Sequence, residues 1–322
     1  MTNLKKTIKP PKLKKGDTIG LITPASPIKE AQLIQTKKLL TQLGFKTYNT
    51  NRVLLKKGYL AGTDAERLED IHHMFENEDV HAVMCIRGGY GTPRILEYID
   101  YDLIRKNPKI FIGYSDITAL LQAIYKFSGL ITFHGVVGVS DFTEYTRNNF
   151  LKVLTKSSEA LLIPSVVQNN PIAEEYRPYV IEKGIAKGEL AGGNLALIVA
   201  LMGTPYEIDL RGKLLFIEDI GEAPYKIDRM LSQLVLSGKL KTLKGIVLGV
   251  FSDCDLNNDD ITDENSLSLK EVLIDRLSDL GIPIMYGFSF GHIANQAVFP
   301  VGLMAELNTE TMTVQLLEKA VN

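Results

Sequence analysis

The chain has 322 residues, 45% of them hydrophobic, and a formal net charge of -2, which suits a globular protein of two domains with a large core. The balanced charge argues against nucleic-acid binding, because it offers no field to hold a polyanion. The lysine-rich start lacks the apolar core of a signal peptide, and no later segment has the roughly 18 uninterrupted apolar residues of a membrane span, so we expect a cytoplasmic protein without a membrane partner.

Residues 17–154 alternate between strand-like and helix-like patterns. The predicted strands are Thr18–Ile22, Phe45–Tyr48, Val80–Ile86, Ile110–Tyr114 and Leu130–Phe133, and the predicted helices are Ile28–Leu43, Asp64–Phe75, a short one from Thr92, one after Ser115 and Thr146–Leu154. Strands separated by helices imply right-handed crossovers and a doubly wound parallel sheet. In such sheets, binding sites lie at the carboxyl ends of the strands.

The segment 156–184 breaks this rhythm with several prolines, and we interpret it as a linker between a domain at 1–155 and a second domain at 185–322. The second domain is predicted to contain a helix ending at Met202, a strand Lys213–Glu218, a helix Ala223–Leu236, a strand Ile246–Phe251 and a terminal hairpin of Ala305–Leu307 with Met312–Leu316. Its last strands therefore look antiparallel.

Ser115 ends the apolar run Ile110–Tyr114 and is followed directly by apolar residues at helical spacing. At such a turn a hydroxyl projects from the carboxyl edge of the sheet, beside the first amides of the next helix. Ser115 is thus either a nucleophile or an ordinary helix N-cap. The Gly-x-Ser-x-Gly elbow of α/β-hydrolases is not matched, because Ile117 stands at its second glycine.

Two further strand ends carry suggestive residues. Arg87-Gly88-Gly89-Tyr90-Gly91 follows the run Ala82–Ile86 and is either a plain tight turn or a loop whose Gly88 and Gly89 amides form half of an oxyanion hole for Ser115. Glu218 follows four apolar residues and is either a first-turn charge for the next helix or the group that orients a histidine. Asp219 and Glu222 compete for both of those roles.

Five histidines are available as a general base. A solvated or partly buried role is simplest for three of them, His72, His73 and His81. His134 ends the strand after the Ser115 helix, and His292 lies in a glycine-flanked turn of the second domain. Spacing does not choose between these two, although the order Ser115, Glu218, His292 would assemble a serine, an acid and a histidine across two domains.

No cofactor or metal is expected. Cys85 and Cys254 are the only cysteines, too few for a disulfide framework or a cysteine zinc site. The acidic stretch 253–264 places oxygen ligands at several EF-hand positions, but Asn258 replaces the glycine and a strand rather than a helix precedes it. A solvated loop is the better interpretation.

Four motifs, Arg87-Gly88-Gly89-Tyr90-Gly91, Gly113-Tyr114-Ser115-Asp116, Phe216-Ile217-Glu218-Asp219 and Phe290-Gly291-His292, occur in this order. The chain thereby resembles the LD-carboxypeptidase family, serine peptidases that include the microcin C immunity proteins. The resemblance extends over nearly the whole chain and implies a flavodoxin-like N-terminal domain, a swivelling β/β/α C-terminal domain and a homodimer.

The resemblance also implies roles for individual residues. Ser115 would be the nucleophile, His292 the base and Glu218 its orienting acid, with the oxyanion held by the amides of Gly88 and Asp116. Arg87, Gly89 and Tyr90 are assigned to substrate binding, with Arg87 as the clamp for a free carboxylate unless it is structural.

The implied substrate is a small cytoplasmic muropeptide from cell-wall recycling, cut between the L-centre of a diamino acid and a terminal D-alanine. The nearest rival is a microcin-immunity type of hydrolase for aminoacyl nucleotides. Such enzymes stack a tryptophan on the base, and this chain has none, although Tyr176 or Tyr179 would be a substitute. A noncatalytic ligand-binding module that uses residues 88–91 as a phosphate nest is the third alternative.

Overall fold

The computed structural model describes residues 6–156, 162–164, 176–256 and 266–322. Its elements up to residue 155 are β1 (Thr18–Ile22), α1 (Glu30–Gln42), β2 (Lys46–Tyr48), α2 (Asp64–Glu76), β3 (Ala82–Cys85), α3 (Tyr101–Lys106), β4 (Ile110–Gly113), α4 (Thr118–Ser128), β5 (Thr132–His134) and α5 (Glu144–Thr155). Short 3₁₀ helices at Thr92–Tyr98 and Ser115–Ile117 precede α3 and α4.

The remaining described elements are β6 (Leu162–Pro164), β7 (Tyr179–Glu182), β8 (Ile185–Asn194), α6 (Leu195–Ala200), β9 (Lys213–Ile220), α7 (Pro224–Leu236), β10 (Gly245–Ser252), α8 (Leu269–Leu277), β11 (Ile284–Gly291), β12 (Phe299–Val301), β13 (Met304–Asn308) and β14 (Thr313–Leu316). The predicted terminal hairpin is confirmed, since β13 pairs antiparallel with β14.

The first sheet confirms the flavodoxin-like prediction. Its described strands lie in the order β12-β5-β4-β3-β1-β2, and β1 to β5 run parallel in the 2-1-3-4-5 arrangement of doubly wound folds. Residues of β3 and β4 are buried throughout, which explains why these strands are continuous apolar runs rather than alternating ones.

The second sheet has the described order β6-β14-β13-β8-β9-β10-β11-β7. Its centre, β8 to β11, is parallel, while the flanking strands are antiparallel. Alternation along β9 divides its two faces: Leu214 and Phe216 join the core shared with the first sheet, and Leu215 and Ile217 join a core with α7 and α8. Glu218 therefore follows Phe216 on the face that looks toward the first sheet.

The predicted linker 156–184 contributes more than a connection. β6 and β7 fall within it and form the two edges of the described second sheet, whereas residues 157–161 and 165–175 lie outside the described residues. Conversely, β12 comes from the predicted second domain but pairs with β5 of the first sheet. These short strands are ordered by distant partners, so local periodicity does not reveal them.

Candidate active site

Ser115 lies at the turn between β4 and α4, as predicted, in an unusual backbone conformation. Its φ is +64°, in the left-handed region that non-glycine residues adopt at a cost of about 1–3 kcal/mol. The 3₁₀ helix is preceded by Tyr114 and α4 by Ile117, and among the described residues neither start has a side-chain cap. The N-cap alternative for Ser115 is therefore wrong, and the strained turn presents its hydroxyl instead.

Gly88 closes against this turn from the neighbouring strand. A methyl group at Gly88 would lie 3.0 Å from Cβ of Ser115 and 3.1 Å from the Tyr114 carbonyl oxygen. The loop is held by Ser26, whose amide donates to the Gly88 carbonyl at 3.2 Å and whose hydroxyl accepts from the Tyr90 amide at 3.1 Å. Glycine is thus needed at position 88 so that its backbone can approach the serine.

Asp116 occupies the first turn of the 3₁₀ helix, where a backbone amide has no acceptor within the helix. Its side chain points away from the turn: Oδ2 accepts from the Thr92 amide at 2.8 Å, and the Thr92 hydroxyl donates to the Asp116 carbonyl at 2.5 Å. Burial raises the pKa of this carboxyl, although bonds from Thr92 oppose the shift. Sequence reasoning missed Thr92, which joins the glycine loop to the serine turn.

Glu218 and His292 form a pair at the carboxyl end of the second sheet. Nδ1 of His292 lies 2.8 Å from Oε2 of Glu218, and Glu218 is completely buried. Gly291, with φ +115°, permits this approach, because a side chain there would meet the Val250 carbonyl at 2.7 Å and Cβ of Glu218 at 3.2 Å. Burial lowers the pKa of His292, but the hydrogen bond and charge of Glu218 outweigh it and raise the pKa above its ordinary value.

Tyr114 links the Glu218–His292 pair to the serine turn through a contact between aromatic rings. The rings of His292 and Tyr114 are 4.8 Å apart between centroids, and Tyr114 immediately precedes Ser115. The Tyr114 hydroxyl bonds to Gln296 and Ser140, and burial raises its pKa. The residues predicted from two domains therefore meet at one place, between the carboxyl ends of both sheets.

The other acids near Glu218 have separate roles. Asp219 accepts from Nδ2 of Asn194 at 3.0 Å and from the Ala196 amide at 2.9 Å, while burial, aided by Glu218, raises its pKa to about 6. Glu222 pairs with Lys226 at 3.0 Å. Neither acid contacts His292 among the described interactions, so Glu218 is the acid that orients it.

A second contact between the sheets was not foreseen. The Asn194 amide donates to the Thr118 hydroxyl at 3.0 Å. Nε2 of Gln122 donates to the Gly192 carbonyl at 2.5 Å. Thr118 and Gln122, the two residues that make these bonds from the first domain, both lie on α4, the helix that follows Ser115. These bonds fix the register between the serine turn and β8.

The predicted substrate-binding residues lie on the open side of the glycine loop. Arg87 is exposed and donates from Nη1 to the Pro27 carbonyl at 3.2 Å. Gly89 packs against the Ser26 side chain. Tyr90 is about half exposed and meets the ring of Tyr59 edge-on at 5.4 Å between centroids.

His134 is placed differently from His292. It is fully buried, and burial lowers its pKa to about 4. Its ring contacts Tyr114, Phe216 and Phe290 rather than an open surface. A buried, neutral ring is a poor candidate for the general base, so the geometry favours His292.

The described part of the chain contains no group of three or more His, Cys, Asp or Glu side chains able to hold a metal ion, and residues 257–264 of the EF-hand-like stretch lie outside that part. None of the helices described is long and apolar enough to cross a bilayer.

Comparison with known proteins identifies relatives along the whole chain. A model of the LD-carboxypeptidase N-terminal domain matches residues 19–135, and a model of the LD-carboxypeptidase C-terminal domain matches residues 187–307. A probable murein peptide carboxypeptidase of Bacillus subtilis is 44% identical over 310 residues, which cover 95% of this chain and 93% of that protein.

Two other relatives differ in what their names say they do. The crystal structure of a muramoyltetrapeptide carboxypeptidase from Oxalobacter formigenes superimposes with a TM-score of 0.79 at 33% identity, over 93% of this chain and 97% of that one. The microcin C7 self-immunity protein MccF of Escherichia coli is 29% identical over 329 residues, covering 94% of each chain.

Proposed function

The chain belongs to the LD-carboxypeptidase family and is a carboxypeptidase, and we propose that it is a serine-type enzyme that removes the terminal D-alanine from cytoplasmic muropeptides during cell-wall recycling. The observation that carries this proposal is the meeting of the strained Ser115 turn with the Glu218–His292 pair. The names of the relatives from Bacillus subtilis and Oxalobacter formigenes support the substrate class.

The proposed reaction is acyl transfer in two stages. His292 takes the Ser115 proton as Oγ attacks the carbonyl carbon that precedes D-alanine, and the proton then passes to the departing amine. Water attacks the resulting acyl-serine ester, again with His292 as base, and releases the shortened peptide and free Ser115. Glu218 keeps the imidazole oriented and stabilises its protonated form.

The oxyanion that forms in each stage is assigned to the amides of Gly88 and Asp116. A methyl group at Gly88 would lie 3.3 Å from Oγ of Ser115, so the Gly88 backbone runs close to the nucleophile, and the Asp116 amide is in the first turn of the 3₁₀ helix. Amides directed at developing charge in a closed site typically contribute a factor of about 10²–10³ each to the rate.

A carboxypeptidase must also recognise a free terminal carboxylate. We assign Arg87 to this task because its guanidinium is exposed at the glycine loop and bonds to one backbone carbonyl, which leaves donors for a bidentate contact. Gly89 and Tyr90 would line the same side. Arg87→Ala should raise KM for a tetrapeptide about tenfold or more, whereas Arg211→Ala, at an exposed pair with Asp209, should leave it unchanged. An unchanged KM in Arg87→Ala would end the clamp assignment.

The test of the proposed function is release of D-alanine from a murein tetrapeptide. Wild-type protein should release it and Ser115→Ala should not. Ser237→Ala should match wild type, because this serine lies just after α7, where its hydroxyl donates to the Leu234 carbonyl and accepts from the Lys239 amide. Residual activity of Ser115→Ala near the wild-type level would overturn the serine mechanism. Tetrapeptides with lysine or diaminopimelate at the third position, compared side by side, identify the preferred diamino acid.

A second candidate follows from the similarity to the Escherichia coli microcin C7 self-immunity protein, namely hydrolysis of aminoacyl nucleotides. Tyr179, one of the possible base-stacking residues, already stacks on Tyr286 at 4.8 Å and lies under Lys270, which disfavours it as a free platform. A faster turnover of an aminoacyl sulfamoyl adenosine than of the tetrapeptide would favour this candidate.

We further propose a homodimer, on the resemblance to the family alone. Light scattering of the purified protein should give twice the mass of one chain, 35.8 kDa. A mass of one chain at micromolar concentration would refute the dimer.

A further inference from the structure

Three polar atoms around the proposed acid are buried without a partner in the described part of the chain. They are both ring nitrogens of His134 and Oε1 of Glu218, the carboxylate oxygen that does not face His292. Buried polar groups in native proteins are nearly always hydrogen-bonded, so each exception needs an explanation. Three of the six such side-chain atoms in the described residues thus belong to His134 and Glu218, and the charge of Glu218 acts on His134.

The strands place His134 beneath the Glu218–His292 pair. His134 ends β5 opposite Gly113 of β4, and its ring meets Phe216 at 5.3 Å and Phe290 at 6.0 Å between centroids. Phe216 is two residues before Glu218 within β9, so the two side chains share a face of that strand, and Phe290 lies near the end of β11, just before His292. The ring of His134 is thus packed against the face of β9 that carries Glu218 and against the end of β11 that leads to His292.

The protonation state of His134 suits a hydrogen-bond donor of fixed charge. Burial is the largest effect on the His134 pKa and lowers it to about 4, while the charge of Glu218 raises this pKa and His292 lowers it. A third titratable group, Tyr114, also faces His134: its ring lies 6.1 Å away between centroids, and its hydroxyl bonds to Gln296 and Ser140. At neutral pH the ring is therefore neutral, with one N–H donor and one acceptor nitrogen.

We propose that His134 is a positioning residue for the Ser115 reaction, whose ring N–H holds Oε1 of Glu218 through one buried water, since neither atom has a direct hydrogen-bond partner. This inference rests on the proposed function. With Oε1 held from behind, Oε2 stays directed at Nδ1 of His292. A buried water that bridges Oε1 of Glu218 and a ring nitrogen of His134 would give both of these atoms a partner.

The test replaces His134 with a ring of similar volume that lacks nitrogen. His134→Phe should lower kcat about 10- to 100-fold and leave KM within about twofold, and the acid limb of its kcat profile should move to lower pH. The limb moves because a less well held Glu218 raises the His292 pKa less. His134→Gln, which restores an amide donor, should recover most of kcat and return the limb to the wild-type position.

The inference would be overturned if folded His134→Phe had the wild-type kcat and the wild-type position of the acid limb. It would also be overturned if His134→Phe and His134→Gln lost kcat equally. If His134→Phe does not fold, ¹⁵N spectra of histidine-labelled wild type decide: one His134 N–H should be protected from exchange, remain neutral from pH 5 to 9, and shift in Glu218→Gln. A His134 ring that titrates in this range, or is insensitive to Glu218→Gln, would contradict it. Loss of activity in Ser115→Ala, measured in parallel, keeps this outcome separate from failure of the proposed function itself.

Discussion

The Ser115 turn of the first sheet and the Glu218–His292 pair of the second sheet are prepared for their proposed roles by different physical means. The turn depends on backbone geometry: a positive φ at Ser115 and the close approach of Gly88. The pair depends on burial and charge: a fully buried carboxylate that raises the pKa of a histidine. Geometry thus positions the nucleophile, and electrostatics sets the strength of the base.

Because of this difference, substitutions in the two regions should have different effects on the rate and on its pH dependence. Changes at the turn should alter rate without moving the pH profile, because no titrating group is affected. Changes at the pair should alter both. Changes at the contacts between the sheets should affect mainly stability.

The largest effect is expected at His292. His292→Ala removes the base and should lower kcat for the tetrapeptide by about 10⁴-fold, as in serine hydrolases that lose one member of the triad. His81→Ala is the matched control and should retain wild-type activity. The His81 side chain is about half exposed and lies at the amino end of β3, opposite the carboxyl ends of the strands where the site lies. Equal activity of His292→Ala and wild type would remove the second sheet from the proposed reaction and return attention to His134.

Glu218→Gln should have the next largest effect and should also move the pH profile. His292 acts as base only when neutral, so activity appears as pH rises through its pKa, which Glu218 holds above about 6.5. Without the carboxylate charge, burial dominates and lowers that pKa, so the acid limb should move to lower pH while kcat falls by roughly 10³-fold. Glu222→Gln, which changes a carboxylate that pairs with Lys226 instead of His292, should alter neither kcat nor the acid limb. A shift of the limb to higher pH in Glu218→Gln would contradict the assigned pair.

Gly88→Ala tests the turn alone. The added methyl group would lie 3.0 Å from Cβ of Ser115, so the loop must retreat and one proposed oxyanion donor with it, at a cost of about 10²-fold in kcat. The acid limb should stay in place. Gly203→Ala puts a methyl group into open space at φ +78° and should reduce stability by about 1 kcal/mol without reducing kcat, which separates backbone strain from damage to the site.

The smallest effect is expected at the contact between the sheets. Thr118→Val removes the acceptor for the Asn194 amide, a buried bond of 3.0 Å, and should lower the free energy of unfolding by about 1–3 kcal/mol. Activity should change less than about threefold at 25 °C. Thr41→Val, at an exposed hydroxyl that bonds to the Lys37 carbonyl, should be neutral in denaturant unfolding.

Much of the site was predictable from sequence because it lies at strand ends. Ser115, Gly88 and Glu218 each follow an apolar run, and parallel strands deliver the residues after them to one edge of a sheet. The choice between His134 and His292 was not predictable, since both follow strands and only packing makes one buried and the other paired with Glu218.

The positive φ of Ser115 and the roles of Thr92 and Asn194 were also missed. Ile117 at the place of the second glycine gave no sign of a strained turn, because the strain is imposed by the surrounding structure rather than by a local residue. Thr92 and Asn194 act through hydrogen bonds that span 24 and 76 residues. Such pairings depend on tertiary structure, as do β6, β7 and β12, which only distant strands hold in place.

The most direct test of the central claim, that Ser115 is a nucleophile activated by a base from the other sheet, is covalent labelling by a fluorophosphonate followed by mass spectrometry of the peptides. Wild type should carry one phosphonyl group on Ser115, His292→Ala should react far more slowly, and Ser115→Ala should remain unlabelled. Labelling of Ser115→Ala at the wild-type rate, or no labelling of a wild-type sample that cleaves the tetrapeptide, would contradict the claim.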